Sequence, residues 1–163
     1  MTSIQDIGRV IVIGTGATAI LDFWLVLLGR MGVATLNFAF IGRWVGHLVR
    51  GKFSHEAIAR AQPVPGELAL GWLTHYATGI VFAALLVGWQ GATWMRQPAL
   101  GTAIGFGLAT VLVPLFAMQP AMGAGFASSK TATPVTNVFR SIINHAVFGL
   151  GLYLSSLLIK EFS

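Results

Sequence analysis

The run Val10-Ile-Val-Ile-Gly-Thr-Gly-Ala-Thr-Ala-Ile-Leu-Asp-Phe-Trp-Leu-Val-Leu-Leu28 carries a single formal charge, Asp22. As an α-helix rising about 1.5 Å per residue it is long enough to cross about 30 Å of hydrocarbon. A soluble fold enclosing such a helix needs polar residues elsewhere to cover its surface, and this chain lacks them. Of its 163 residues only ten are Lys or Arg and five are Asp or Glu. That is 9% charged, against about 25% in an ordinary soluble domain. Hydrophobic residues make up 55% and the mean hydropathy is +0.77, which assigns the chain to a membrane.

Working outward, three further windows have the length and composition of spans: Leu68 to Trp89, Pro98 to Met118, and Ser141 to Ile159. The expectation is an all-α membrane protein, a bundle of four transmembrane helices forming a single integral domain over residues 1–163, with a loop at 29–67. The first run has no small-x-small cleavage pattern after it and is expected to persist as a helix. The absence of cysteine excludes disulfides, thiolate metal sites and thiol nucleophiles. The net charge of +5 lies beside apolar spans, which suits anionic lipid and not nucleic acid.

Four spans place both termini on one side. Arg9, Arg96 and Lys160 fall on that side, whereas Arg30, Arg43, Arg50, Lys52, Arg60, Lys130 and Arg140 fall on the other. The positive-inside rule then makes the long loop cytoplasmic and turns the termini outward, across a bacterial inner membrane. Within that loop Ile41, Trp44, Val45 and Leu48 recur at helical spacing on one face, and Arg43, His47 and Arg50 on another. This pattern predicts an amphipathic helix at the cytoplasmic interface, with Arg43, Trp44, His47 and Arg50 meeting lipid headgroups. A second short helix is expected from His55 to Ala61, capped by Ser54 and stopped before Pro63-Val-Pro-Gly66. The last loop, 119–137, is rich in small residues and can enter the membrane only where protein shields its backbone.

The spans carry an internal pattern. Gly71, His75, Gly79 and Ala83 step by four down the second span, as Ser141, His145 and Gly149 do down the fourth; the first and third share Ile-Gly-x-Gly, at 13–16 and 104–107. This points to a duplicated two-helix unit whose copies share one orientation. Gly101 and Gly105 form a literal GxxxG on the third span, and Gly14 with Thr18 a weaker form on the first, both expected as helix-packing stripes.

Asp22, His75 and His145 fall at similar depth in the cytoplasmic half, with Asn144, Arg140 and Gln119 extending that layer toward the cytoplasm and Met118 and Met122 nearby. A carboxylate in hydrocarbon needs a partner or a proton. Four roles suit this layer. It can join helices by hydrogen bonds; it can bind a small molecule, ion or proton for transport, Asp22 titrating; His75 and His145 can ligate one haem b iron; or both histidines and Asp22 can hold a divalent metal. Transport or binding ranks first, a haem or metal redox role second, and a structural partner subunit third; a transport role implies a homodimer or a larger membrane complex. No hydrolase elbow, phosphate loop or dinucleotide fingerprint marks the chain as an enzyme.

The stretch Leu36-Asn-Phe-Ala-Phe-Ile-Gly-Arg-Trp-Val-Gly-His47, together with Pro63-Val-Pro-Gly-Glu67, Gly71-Trp-Leu-Thr-His-Tyr76, Met118-Gln-Pro-Ala-Met-Gly-Ala-Gly125 and His145-Ala-Val-Phe-Gly-Leu-Gly-Leu-Tyr153, resembles a family of short four-span bacterial inner-membrane proteins carrying a domain-of-unknown-function label. The resemblance covers nearly the whole chain and implies a four-span architecture without implying an activity.

Overall fold

The computed structural model describes residues 4–161. It is all-helical, with no strand among the described residues. The helices are α1 (Ile4–Arg30), α2 (Phe38–Leu48), α3 (Glu67–Gln90), α4 (Leu100–Thr110), α5 (Gln119–Ala121) and α6 (Pro134–Glu161). Four segments are long and apolar enough to cross a membrane: Ile4–Arg30, Glu67–Gln90, Leu100–Ala121 and Pro134–Lys160. The last starts seven residues before the apolar window because Pro134, fixed near helical φ and lacking an N–H, opens the helix well ahead of it. The third joins α4 to α5 through a π turn at Pro114–Met118. Pro114 cannot donate to the preceding turn, and widening the helix there relieves the clash of its ring.

Helix ends are set by glycine. Val33 N–H reaches Leu28 O and Gly32 N–H reaches Gly29 O, with Gly32 at φ +78°, a Schellman ending for α1. Lys52 N–H to His47 O and Gly51 N–H to Leu48 O close α2 in the same way. At its start, the Asn37 side chain accepts from Ala39 N–H at 3.0 Å.

The chain groups into two compact units. One comprises residues 4–35, 76–110 and 143–161, the other 36–75 and 111–142. In the first, glycines bring helix backbones into contact: Gly14 meets Gly79 and Ile80, Gly107 meets His145 and Gly149, and Gly151 meets Ala17. The α1–α3 and α4–α6 crossings thus each use a glycine four residues after a histidine, in line with the repeat. The match is not in strict register, because α1 uses the first glycine of its Ile-Gly-x-Gly and α4 the second. Around these crossings Ile13, Ala17, Ala83, Leu86, Met95, Ala103 and Leu152 form the buried core.

The expected stripe on the third span is displaced. Gly101 and Gly105 have nothing within 4 Å of an added Cβ, and the packing face instead carries Ala103 and Gly107. Two residues along a helix turn the face by about 200°, so one literal motif and its neighbour look in opposite directions.

In the second unit, Gly42 of α2 lies against Glu67 O and Gly71 N, Gly71 lies against Phe38 O, and Gly46 lies against Val64. Gly42-Arg-Trp-Val-Gly46 is therefore the contact strip of α2, and it carries Arg43 and His47 inward with it. Both are buried, so neither faces solvent or headgroups as expected, whereas Arg50 is exposed and Trp44 half-buried. The helix expected over His55 to Ala61 reduces to one 3₁₀ turn, Ile58–Arg60. Ile58 N–H, which would close the first turn on Ser54 O, bonds Met122 O instead at 2.9 Å, and His55 N–H bonds Ala121 O at 2.8 Å. Gly123, at φ +92°, lies against the carbonyls of His55 and Glu56, a position closed to any side chain.

Candidate functional site

Polar side chains inside the first unit come from all four of its helices and meet in pairs. Asp22 lies on α1 about 12 Å of helix before Arg30. Its carboxylate accepts the Tyr76 hydroxyl of α3 at 2.7 Å. Two residues further along α1, Trp24 Nε1 donates to Asn144 Oδ1 of α6 at 3.0 Å. On the next residue of α6, His145 Nδ1 lies 2.8 Å from the Thr110 hydroxyl of α4. Three side-chain bonds thus link α3 to α1, α1 to α6, and α6 to α4.

The protonation pattern of His145 follows from this network. A hydroxyl has one proton, and Thr110 places it on Gly107 O at 2.6 Å. It must then accept from His145, so Nδ1 carries the ring proton and Nε2 presents a lone pair. A neutral imidazole held in one tautomer is suited to accept a proton or coordinate an ion. Asp22 contributes a carboxylate acceptor within a span, bonded by the Tyr76 phenol O–H.

Asp22, His145 and Asn144 therefore share one unit. His75 belongs to the other, one residue before Tyr76 and about 100° around the helix from it. There its ring lies 4.7 Å from Phe38 and 6.0 Å from Trp72, themselves 4.1 Å apart. Among the described residues no three His, Asp or Glu side chains are grouped for a metal ion. Tyr76, Trp24 and Thr110 were not singled out from the sequence. Each is amphipathic or small, common within spans, and marked only by its depth matching that of Asp22.

The second unit holds a different constellation. Arg43 bonds both carboxylate oxygens of Glu67, at 2.7 and 2.8 Å, and donates to the carbonyls of Ile58, Ala59 and Ala61. The hydrogen bond to Glu67 holds the guanidinium pKa above its ordinary value. Glu67 also accepts Val64 N–H at 3.0 Å, fixing the turn that opens α3. One turn beyond Arg43, His47 Nε2 lies 2.9 Å from Gln62 O. A carbonyl only accepts, so Nε2 is the donor and the neutral ring offers Nδ1 as acceptor to His55 Nε2, 3.0 Å away. His55 Nδ1 is then a lone pair, buried with no hydrogen-bond partner among the described residues. Burial, then Lys52 and His47, push the His55 pKa below its ordinary value. Gln119 accepts the Ser128 hydroxyl at 2.9 Å, which places it in a loop contact of this unit.

Four membrane-crossing helices with paired polar groups inside the lipid-spanning part define a multi-pass helical membrane protein. Within that class, the family described as protein of unknown function (DUF2938) matches residues 11–159, and the chain belongs to it. No curated protein and no solved structure matches the chain significantly.

Proposed function

We propose that the chain is a membrane-embedded binding or transport protein for a proton, ion or small polar ligand, with the Asp22–Tyr76 pair at its centre. The observation that carries this reading is a carboxylate within a span, hydrogen-bonded at 2.7 Å to a phenol on another span. Carboxylates are rare at such positions and mark ion or proton pathways. An ionised Asp22 accepts from Tyr76 and can hold a cation; a protonated one would donate in its turn and give the cation up. His145, with Nδ1–H on Thr110, offers a second acceptor through Nε2, and Asn144 offers an amide to a polar ligand. The Lys and Arg asymmetry supports outward termini in a bacterial inner membrane, with Asp22 in its cytoplasmic half.

The test is infrared titration of the carboxyl stretch in proteoliposomes, paired with flux of protons and small cations. The expected result is one carboxyl band that appears as pH falls, is missing in Asp22→Asn, and moves in Tyr76→Phe. Flux that is pH-dependent in the natural chain is expected to disappear in Asp22→Asn. A carboxylate that never protonates, together with flux unaltered by Asp22→Asn, overturns the reading.

A further inference from the structure

With Arg43 and His47 turned inward, the outward charge of α2 passes to the run that ends it, Val49-Arg-Gly-Lys-Phe53. Two large apolar side chains bracket this run and both are open, Val49 at 82% and Phe53 at 68%. Arg50 and Lys52 between them are exposed as well. The backbone beneath is nonetheless fixed. His47 O accepts from both Arg50 N–H and Lys52 N–H, Gly51 sits at φ +77° with its N–H on Leu48 O, and Trp44 Nε1 donates to Phe53 O at 3.0 Å. The tip is thus held in a shape that turns two cations and two apolar side chains outward together.

Position and charge narrow what covers it. Gly42 packs α2 on Glu67 and Gly71, in the first turns of a span, so the tip that ends α2 is tethered beside the place where α3 enters hydrocarbon. The unit of residues 36–75 and 111–142 carries six basic side chains and two acidic ones, Glu56 and Glu67. Arg43 takes Glu67 at 2.7 Å, and Glu56 forms no ion pair among the described residues. Arg50, Lys52, Arg60, Lys130 and Arg140 therefore stand against one carboxylate. Phosphate alone would satisfy the tip's cations and hydrocarbon alone its apolar pair; the headgroup border of an anionic membrane supplies both. We propose that residues 49–53 are a membrane-surface anchor for anionic phospholipid, Val49 and Phe53 entering the acyl border and Arg50 and Lys52 meeting the phosphates. The anchor shares no residue with the Asp22–Tyr76 pair, so either reading can fail without the other.

The chain has no cysteine, so a dansyl group can be placed at Phe53→Cys or at Val49→Cys alone. The experiment reconstitutes each labelled full chain in mixed phosphatidylethanolamine and phosphatidylglycerol vesicles in which one lipid at a time carries brominated acyl chains. Brominated phosphatidylglycerol is expected to quench either label more strongly than brominated phosphatidylethanolamine at the same mole fraction. Arg50→Gln and Lys52→Gln are each expected to lower that preference by up to about fivefold, the scale of one basic residue at an anionic surface. The double variant is expected to remove most of it, at unchanged helicity by circular dichroism. A label that neither lipid quenches overturns the proposal, because the tip then lies in water or against protein. Equal quenching by the two lipids overturns it too, as does a preference left intact in the double variant.

Discussion

In the unit of residues 4–35, 76–110 and 143–161, Asp22 with Tyr76, Trp24 with Asn144, and Thr110 with His145 each join two helices by one side-chain bond. In the unit of residues 36–75 and 111–142, Arg43 alone makes five hydrogen bonds, two to a carboxylate and three to carbonyls of a segment with almost no helix of its own. The first relies on regular helices whose backbone groups are already satisfied, so glycine contacts and a few polar pairs suffice. The second contains irregular backbone whose carbonyls need donors, and a guanidinium supplies several at once.

The sharpest way to break this comparison is to separate the helices of each unit in turn. In Gly42→Leu the new side chain collides with the backbone of Glu67 and Gly71, and in Gly107→Leu with that of His145 and Gly149. Because backbone cannot turn aside, both should exceed the roughly 1–3 kcal/mol typical of overpacking, read as loss of the thermal unfolding transition in detergent. Gly105→Leu, which meets nothing within 4 Å, is expected to leave that transition in place.

A smaller effect should separate the units by pH. The folded pKa of His55 lies below its ordinary 6.5, so the fold binds the neutral ring more readily than the charged one. Its contribution is therefore fully present above about pH 6.5 and is lost as pH falls toward the folded value. Hydrogen exchange, corrected for intrinsic rate, should rise severalfold at the His55 and Ile58 amides between pH 7.5 and 5.5. His55→Gln, whose amide can donate to His47 Nδ1 without titrating, should flatten that rise. A rise that persists in His55→Gln would assign the pH response to another group.

The smallest expected effect concerns the polar pairs of the first unit. Tyr76→Phe and Trp24→Phe each delete one intramembrane hydrogen bond, and about 0.6–1.7 kcal/mol is expected from each, measured by unfolding in detergent. A loss several times larger at Tyr76 would show that its bond to Asp22 is charge-assisted.

Much of this was open to reading along the chain, for reasons visible in particular residues. The four spans are legible because a bilayer accepts only long apolar helices, and their ends slipped outward because polar residues such as Thr136, Asn137 and Arg140 can extend a helix beyond its apolar window. Asp22 is conspicuous as the charge that breaks an apolar run. Its bond to Tyr76 is not, since nothing in the order of residues marks that phenol and only the rotation of α3 about its own axis turns it toward Asp22. The inward turn of Arg43 was equally hidden, because hydrophobic periodicity took Ile41 and Val45 as the face of an interfacial helix and passed over Gly42 and Gly46. Composition, the number and order of spans, charge asymmetry and family membership were thus determined by the sequence itself, since each depends on what residues are and on their order along one axis. The choice among several similar partners, Tyr76 for Asp22 and Glu67 for Arg43, belongs to tertiary structure. It depends on where glycines let backbones approach, and that sets the rotation of every helix about its own axis.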